Sequence, residues 1–160
     1  MDRRELFSSL FSSKVKEKKE IIIRPPYYKD EDSFSKECLL CEDKPCITVC
    51  EENIIILNSD GTPKLSFRES GCTYCDECAI HCPKDVLDIE NKQLIKATVE
   101  IDMLGCVSWK DTMCFSCKDP CLEDAIEFLG IYKPSINSQK CTSCGFCVSR
   151  CPTDAIIVKT

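Results

Sequence analysis

The 160-residue chain contains one histidine, one tryptophan and five glycines, and each scarcity narrows what it can do. A single histidine, His81, cannot furnish a set of mixed cysteine–histidine zinc sites. No Gly-x-Gly-x-x-Gly run occurs, which argues against a built-in flavin or nicotinamide site. Nothing resembles a phosphate loop or a catalytic triad, so an electron carrier is expected rather than an enzyme. Apolar runs such as Ile21–Ile23 fall far short of the ~20 residues that span a bilayer, so no membrane span and a soluble protein are expected. Basic residues do not dominate: 27 acidic side chains face 21 basic ones, for a net charge of −6 and a pI near 4.9. That balance disfavours nucleic acid and leaves a solvated acidic surface, or one that meets basic patches on a partner.

Cysteine is what the chain has in abundance. Its 16 cysteines form four groups of four, with none left over. Two groups read C-x-x-C-x-x-C-x-x-x-C-P: Cys72, Cys75, Cys78 and Cys82 before Pro83, and Cys141, Cys144, Cys147 and Cys151 before Pro152. The other two stretch one interval. Cys38, Cys41, Cys46 and Cys50 have four residues in the middle gap, and Cys106, Cys114, Cys117 and Cys121 have seven in the first. The plain run is the bacterial signature for [4Fe–4S] cubanes, whose fourth cysteine usually serves the other cluster of a pair. Each iron corner takes one soft thiolate, and three cysteines two residues apart let one loop reach three corners. Disulfide scaffolds seldom repeat one spacing four times, and zinc sites use two C-x-x-C pairs, so both alternatives fit poorly. All sixteen cysteines are therefore the expected metal ligands, holding four [4Fe–4S] clusters. The seven-residue gap makes the Cys106, Cys114, Cys117, Cys121 site the loosest of the four.

The residues after each fourth cysteine repeat. The segments are Cys50-Glu-Glu-Asn-Ile-Ile-Ile-Leu57, Cys82-Pro-Lys-Asp-Val-Leu-Asp-Ile89, Cys121-Leu-Glu-Asp-Ala-Ile-Glu-Phe128 and Cys151-Pro-Thr-Asp-Ala-Ile-Ile-Val158. Asp or Asn stands three residues on, followed by two apolar positions, which predicts a short helical turn, begun where present by the proline, and then a strand. Extended stretches also precede three groups, at 64–67, 98–101 and 133–136. The unit is strand, cysteine loop, helical turn, strand, and a repeat of this kind overrides the single-domain prior from length. The expectation is an α+β fold of tandem bacterial-type 2[4Fe–4S] ferredoxin domains, small and stabilised by their clusters. Sequential pairing gives domains over 33–96 (groups one and two) and 97–160 (groups three and four), after a tail and strap over 1–32. Nested pairing, first group with fourth and second with third, is equally compatible with the intervals.

Residues 1–32 hold no cysteine. Arg3-Arg4 lacks the apolar stretch that an export signal needs next, since Ser8, Ser9, Ser12, Ser13 and a Lys/Glu run follow. Leu6, Phe7, Leu10 and Phe11 share one helical face suited to docking, or belong to a frayed terminus. Arg24-Pro-Pro-Tyr-Tyr28 is predicted to be an extended strap. Trp109 and Phe115 are expected to shield the third group from water. His81, beside a ligand, could couple a proton to electron transfer or be incidental.

The cysteine order, together with Asp2-Arg-Arg4, Arg24-Pro-Pro26, Cys50-Glu-Glu-Asn-Ile54 and Gly130-Ile-Tyr-Lys-Pro134 through Asn137-Ser-Gln139, resembles the NapF-type ferredoxins of the periplasmic nitrate reductase system. The likeness covers nearly the whole chain. It departs in the additional residue pair between Cys41 and Cys46, which leaves the ligand count intact. The resemblance implies a cytoplasmic protein that contacts the nitrate reductase catalytic subunit precursor before export and assists its maturation by supplying electrons, alongside other redox protein partners. The alternative is a general ferredoxin shuttle, or the electron-wire subunit of a larger oxidoreductase; a scaffold with purely structural clusters is a third class.

Overall fold

In the computed structural model the described residues are 21–160, so the face of Leu6, Phe7, Leu10 and Phe11 and the pair Arg3-Arg4 lie outside them. The regular elements are short and evenly mixed, as the α+β expectation requires. The α-helices and strands in order are α1 (Pro45–Thr48), β1 (Ile55–Leu57), β2 (Pro63–Leu65), α2 (Glu77–Ile80), β3 (Thr98–Ile101), β4 (Ile126–Leu129), β5 (Tyr132–Ile136), α3 (Phe146–Arg150) and β6 (Ile156–Lys159), with a π-helical turn at Phe34–Cys38 and 3₁₀ turns at Ile89–Asn91 and Val107–Lys110. No helix among the described residues is long and apolar enough to cross a membrane.

The second half shows the logic of the repeat most plainly. Strand β3, upstream of the third cysteine group, pairs antiparallel with β6, downstream of the fourth, with Val99 opposite Val158. Strand β4, downstream of the third group, pairs with β5, upstream of the fourth, with Ile126 opposite Ile136. Each group is thus held between two ribbons. In the first half β1 pairs with β2 in the same manner, Ile55 opposite Leu65. The stretch after Cys82 is not a regular strand; it forms one antiparallel bridge, Leu87 to Tyr28.

That bridge shows what the strap does. Residues 23–28 are not extended throughout, since they turn at Pro26 and Tyr27 with the Tyr27 amide donating to the Pro25 carbonyl at 3.0 Å, but they occupy the place that β3 takes in the second half, upstream of the first group. The Leu65 amide donates to the Ile23 carbonyl at 2.6 Å, the Asp88 amide to Tyr27 at 2.8 Å, and the Gln93 amide to Pro26 at 2.8 Å. Ile23, Tyr27 and Tyr28 share one buried cluster with Phe34, Ile54, Leu65, Phe67 and Leu87. A boundary at residue 33 therefore does not divide the packing, because residues 21–32 belong to the first half. Two prolines suit this position since the strap lies at a ribbon edge, where a missing N–H is tolerated.

A second difference concerns the segment around each fourth cysteine. The helices α1, α2 and α3 carry the third cysteine and precede the fourth; no helical turn follows it. Instead Asn53, Asp85, Asp124 and Asp154 all adopt left-handed backbone, with φ of 53°, 52°, 47° and 51°. The amide of each donates to the carbonyl of the fourth cysteine three residues earlier, at 3.0, 3.4, 3.1 and 3.4 Å respectively. Asn and Asp recur here because they tolerate this conformation better than other side chains with a Cβ. The tight turn sends both following residues inward: Ile54 and Ile55, Val86 and Leu87, Ala125 and Ile126, and Ala155 and Ile156 are all buried.

Arg24 ties the strap to the β1–β2 hairpin. Its Nη1 donates to Thr62 Oγ1 and to the Pro63 carbonyl, both at 2.7 Å, and its guanidinium lies 4.5 Å from the Phe34 ring centre. Only 8% of the residue is exposed. Arg24→Leu leaves the Pro63 carbonyl without its buried donor and is expected to cost about 2–4 kcal/mol. Anaerobic thermal unfolding, read against Arg24→Lys, checks this; an unchanged midpoint would show that the strap is held by its apolar residues alone.

Candidate metal centres

The turns and helices bring the sixteen cysteines into four sets, each around its own cavity. Cys38, Cys41 and Cys46 line the first with Cys82, and Cys72, Cys75 and Cys78 line the second with Cys50. Cys106, Cys114 and Cys117 line the third with Cys151, and Cys141, Cys144 and Cys147 line the fourth with Cys121. Three thiols always come from one group and the fourth from its neighbour in sequence. None of these four cavities combines the first group with the fourth, and the fourth cavity is lined in addition by Cys72 of the second group. The stretched gaps are absorbed locally. Lys44, with φ of 41°, turns the enlarged first loop into α1, and a 3₁₀ turn at Val107–Lys110 takes up the long gap of the third.

Helical spacing explains the exchange. Cys46 on α1 faces the first cavity while Cys50, just past the helix, faces the second; Cys78 on α2 and Cys82 just past it do so in the mirrored sense. Left-handed residues shape the loops between. Tyr74 and Asp76 in the second group match Ser143 and Gly145 in the fourth, all with positive φ. Such kinks turn successive amides toward one concave side, the geometry that favours anions and iron–sulfur clusters.

Backbone amides also approach the sulfurs. Tyr74 donates to Cys72 Sγ at 3.4 Å, Leu87 to Cys82 Sγ at 3.5 Å, Ala125 to Cys121 Sγ at 3.3 Å and Ala155 to Cys151 Sγ at 3.2 Å. These contacts stabilise thiolate over thiol once a metal is bound. Without one, burial holds the Cys38, Cys72 and Cys117 thiols up at about 11 and those of Cys46 and Cys147 at about 12, with cysteines of the same set adding to the effect. Iron must therefore displace protons from the most enclosed thiols, as metal loading of cysteine sites does generally.

The donor set fits a cubane. All sixteen cysteines are free of disulfides. No three His, Cys, Asp or Glu side chains among the described residues converge tightly enough to hold a single metal ion. Four thiols spread round a cavity, two kinked loops and amides on sulfur are what a four-iron cluster asks of its protein.

The other expected residues lie elsewhere. Neither Trp109 nor Phe115 lines the third cavity; Ile101, Val107, Pro134 and Ile156 do. Trp109 instead donates from Nε1 to the Pro134 carbonyl at 3.0 Å, pinning the long loop to β5, and Phe115 rests on Phe128 with ring centres 4.9 Å apart. An aromatic inside a cysteine interval is a poor guide here because the interval is long enough to turn the ring away. His81 is exposed beside Glu77, its Nδ1 3.0 Å from the Glu77 carbonyl, and faces no cavity. The residues that sequence reading passed over are Tyr74 and the small Ala125 and Ala155. The last two stand in the same repeat position, four residues after the cysteine whose sulfur their amides approach.

The model of the 4Fe-4S binding domain family matches residues 134–157, which hold the whole fourth group. Across the longer span the chain is 35% identical over 138 residues to the ferredoxin-type protein NapF of Escherichia coli (strain K12), covering 84% of this chain and 82% of that protein. It is 30% identical to the Haemophilus influenzae ferredoxin-type protein NapF, covering 94% of this chain and 86% of the other. More distant is the ferredoxin-type protein NapG of E. coli (strain K12), at 26% identity with 86% and 69% covered.

Ala155 is 2% exposed and its amide sits on Cys151 Sγ, so there is no room for a longer side chain. Ala155→Leu is expected to cost about 1–3 kcal/mol by overpacking. It should also make Cys106, Cys114, Cys117 and Cys151 reactive toward alkylation while the other twelve stay protected, as read by mass spectrometry. Uniform protection of all sixteen would contradict the assignment of Ala155 to that site.

Proposed function

From the premise that the chain belongs to the NapF family of ferredoxin-type proteins, we propose that it is a cytoplasmic carrier of four [4Fe–4S] clusters. In this reading it interacts with the catalytic subunit of periplasmic nitrate reductase and assists that subunit's maturation before export. The observation that carries the cofactor count is the set of four cavities, each lined by three cysteines of one group and the fourth of its neighbour. The pairing is sequential: groups one and two form one ferredoxin-type domain, with the strap, and groups three and four the other. Each bound cluster would supply one-electron transfer. The protein's part is to hold it, to keep water from the buried thiolates and to steady the sulfurs with the amides of Tyr74, Leu87, Ala125 and Ala155.

Family membership supports placing this carrier beside the nitrate reductase. The acidic surface, with net charge −6, suits a partner that offers basic side chains, and such docking is screened by salt. Electrons have to be exchanged with other proteins, because no nucleotide-binding fingerprint is present in the chain.

Anaerobically purified protein should hold about sixteen iron atoms, four for each cubane. Cys82→Ala should remove about four of them. It should free Cys38, Cys41 and Cys46 to alkylation while Cys72, Cys75 and Cys78 stay protected. The reverse pattern would show that the fourth cysteine serves its own group. For the partner, tagged protein isolated from cytosol should retain the nitrate reductase catalytic subunit precursor, and lose it as salt rises. A cytosolic protein that retains other redox proteins and never that subunit would leave a general shuttle as the better description.

A further inference from the structure

Among the four cysteine-lined cavities only the fourth draws its walls from both halves of the molecule. Besides Cys121, Cys141, Cys144 and Cys147 it is lined by Cys72, Thr73 and Tyr74, which belong to the loop of the second site. The first and second cavities are lined by residues up to 87, and the third by residues from 101 onward. The contact at this seam is made of backbone. The Cys72 amide donates to the Cys144 carbonyl at 2.6 Å, so a residue of the second set is hydrogen-bonded directly to one of the fourth. Tyr74 reinforces it: its hydroxyl donates to the Thr142 carbonyl at 2.5 Å and accepts from the Ile95 amide at 3.2 Å.

Reciprocal glycines make the approach this close. A Cβ on Gly71 would stand 2.5 Å from the Phe146 nitrogen, and one on Gly145 would stand 2.2 Å from the Phe67 ring. Each half thus inserts a ring over a glycine of the other. Ser143 Oγ donates to the carbonyl of Ala97, the first residue of its own half, at 2.6 Å, holding the start of that half beside the seam. Within each half the two sites are neighbours already: in the first, α1 separates Cys46 from Cys50 and α2 separates Cys78 from Cys82 by a single turn, and in the second α3 does the same for Cys147 and Cys151.

We propose that the four sites stand in one row, in the order first, second, fourth, third, and that the seam of Cys72 and Cys144 is the crossing between the halves. The inference rests on the reading of the four sets as [4Fe–4S] sites and adds their order, which neither the spacing nor family membership contains. Electron tunnelling falls steeply with distance, so a row makes the second and fourth sites the obligatory middle. A partner at one end then communicates with a partner at the other through this seam. Tyr74 is a positioning residue: it holds the two inner loops together and touches no reacting atom.

Magnetic coupling between neighbouring reduced clusters tests the order without any activity assay. Cys75→Ala empties the second site, so the first loses its neighbour while the third and fourth keep each other. The dithionite-reduced holoprotein should then show a narrow, isolated paramagnetic signal from one of its three remaining clusters. Cys144→Ala should do the same by isolating the third site. Cys41→Ala and Cys114→Ala empty an end of the row and should leave no isolated signal. An isolated signal in the end variants, or none in the inner ones, overturns the order. Gly71→Val keeps every cysteine and should retain wild-type iron while reducing the coupling broadening; undiminished broadening with full iron also overturns the proposal. Wild-type protein without iron would instead defeat the cluster reading, an outcome separable from these.

Discussion

The fourth thiolate of each group governs the architecture, because it is committed to the neighbouring site. A cubane needs four soft ligands, and a loop of closely spaced cysteines conveniently reaches three of its corners. The remaining corner must be met from another segment, and here that segment is always the end of the adjacent loop. Two loops that exchange ligands are held side by side. In each half Cys50 and Cys82, or Cys121 and Cys151, act as reciprocal ties.

That constraint explains why the apolar core can be so modest. The buried cluster of the second half rests on Val99, Ile126 and Ile156 with cysteines around them. The ribbons are two-stranded and short, and isolated ribbons of this kind are marginal in water. Metal–thiolate bonds complete the fold, as they do in small domains that cannot bury enough surface. The first half has an additional resource in the strap, whose Tyr27 and Tyr28, with Phe34, give it a larger apolar cluster than the second.

Much of this was legible in the amino-acid order, for a physical reason. Ligand spacing is fixed by the size of the cofactor, so the cysteine intervals carried the α+β ferredoxin class directly, while the family rested also on Arg24-Pro-Pro26 and the run from Gly130 to Gln139. Periodicity also located the strands around Ile55, Ile126 and Ile156. It misplaced the helices, because the proline after Cys82 and Cys151 suits a tight turn as well as a helix start, and the left-handed backbone at Asp85 and Asp154 decides for the turn. The strap was expected to be extended, and neither its turn at Pro26 and Tyr27 nor its place in the first half was legible, since its pairing to Leu87 and Leu65 is long-range. Trp109 and Phe115 failed as shielding residues for the same cause: nearness in sequence to a ligand does not fix which way a ring turns. The Gly71–Phe146 and Gly145–Phe67 contacts had no local signature at all, being a relation between two loops far apart in the chain.

The exchange of fourth cysteines also sets a timetable for the growing polypeptide. The second set is complete when Cys78 has emerged, and the first waits only for Cys82. A long interval follows in which Cys106, Cys114 and Cys117 are exposed to solvent without their fourth partner. The fourth set closes at Cys147 and the third at Cys151, the last cysteine to be made. Each half becomes competent for metal in a burst within one helical turn of synthesis, and the seven-residue gap of the third group belongs to the set that closes last.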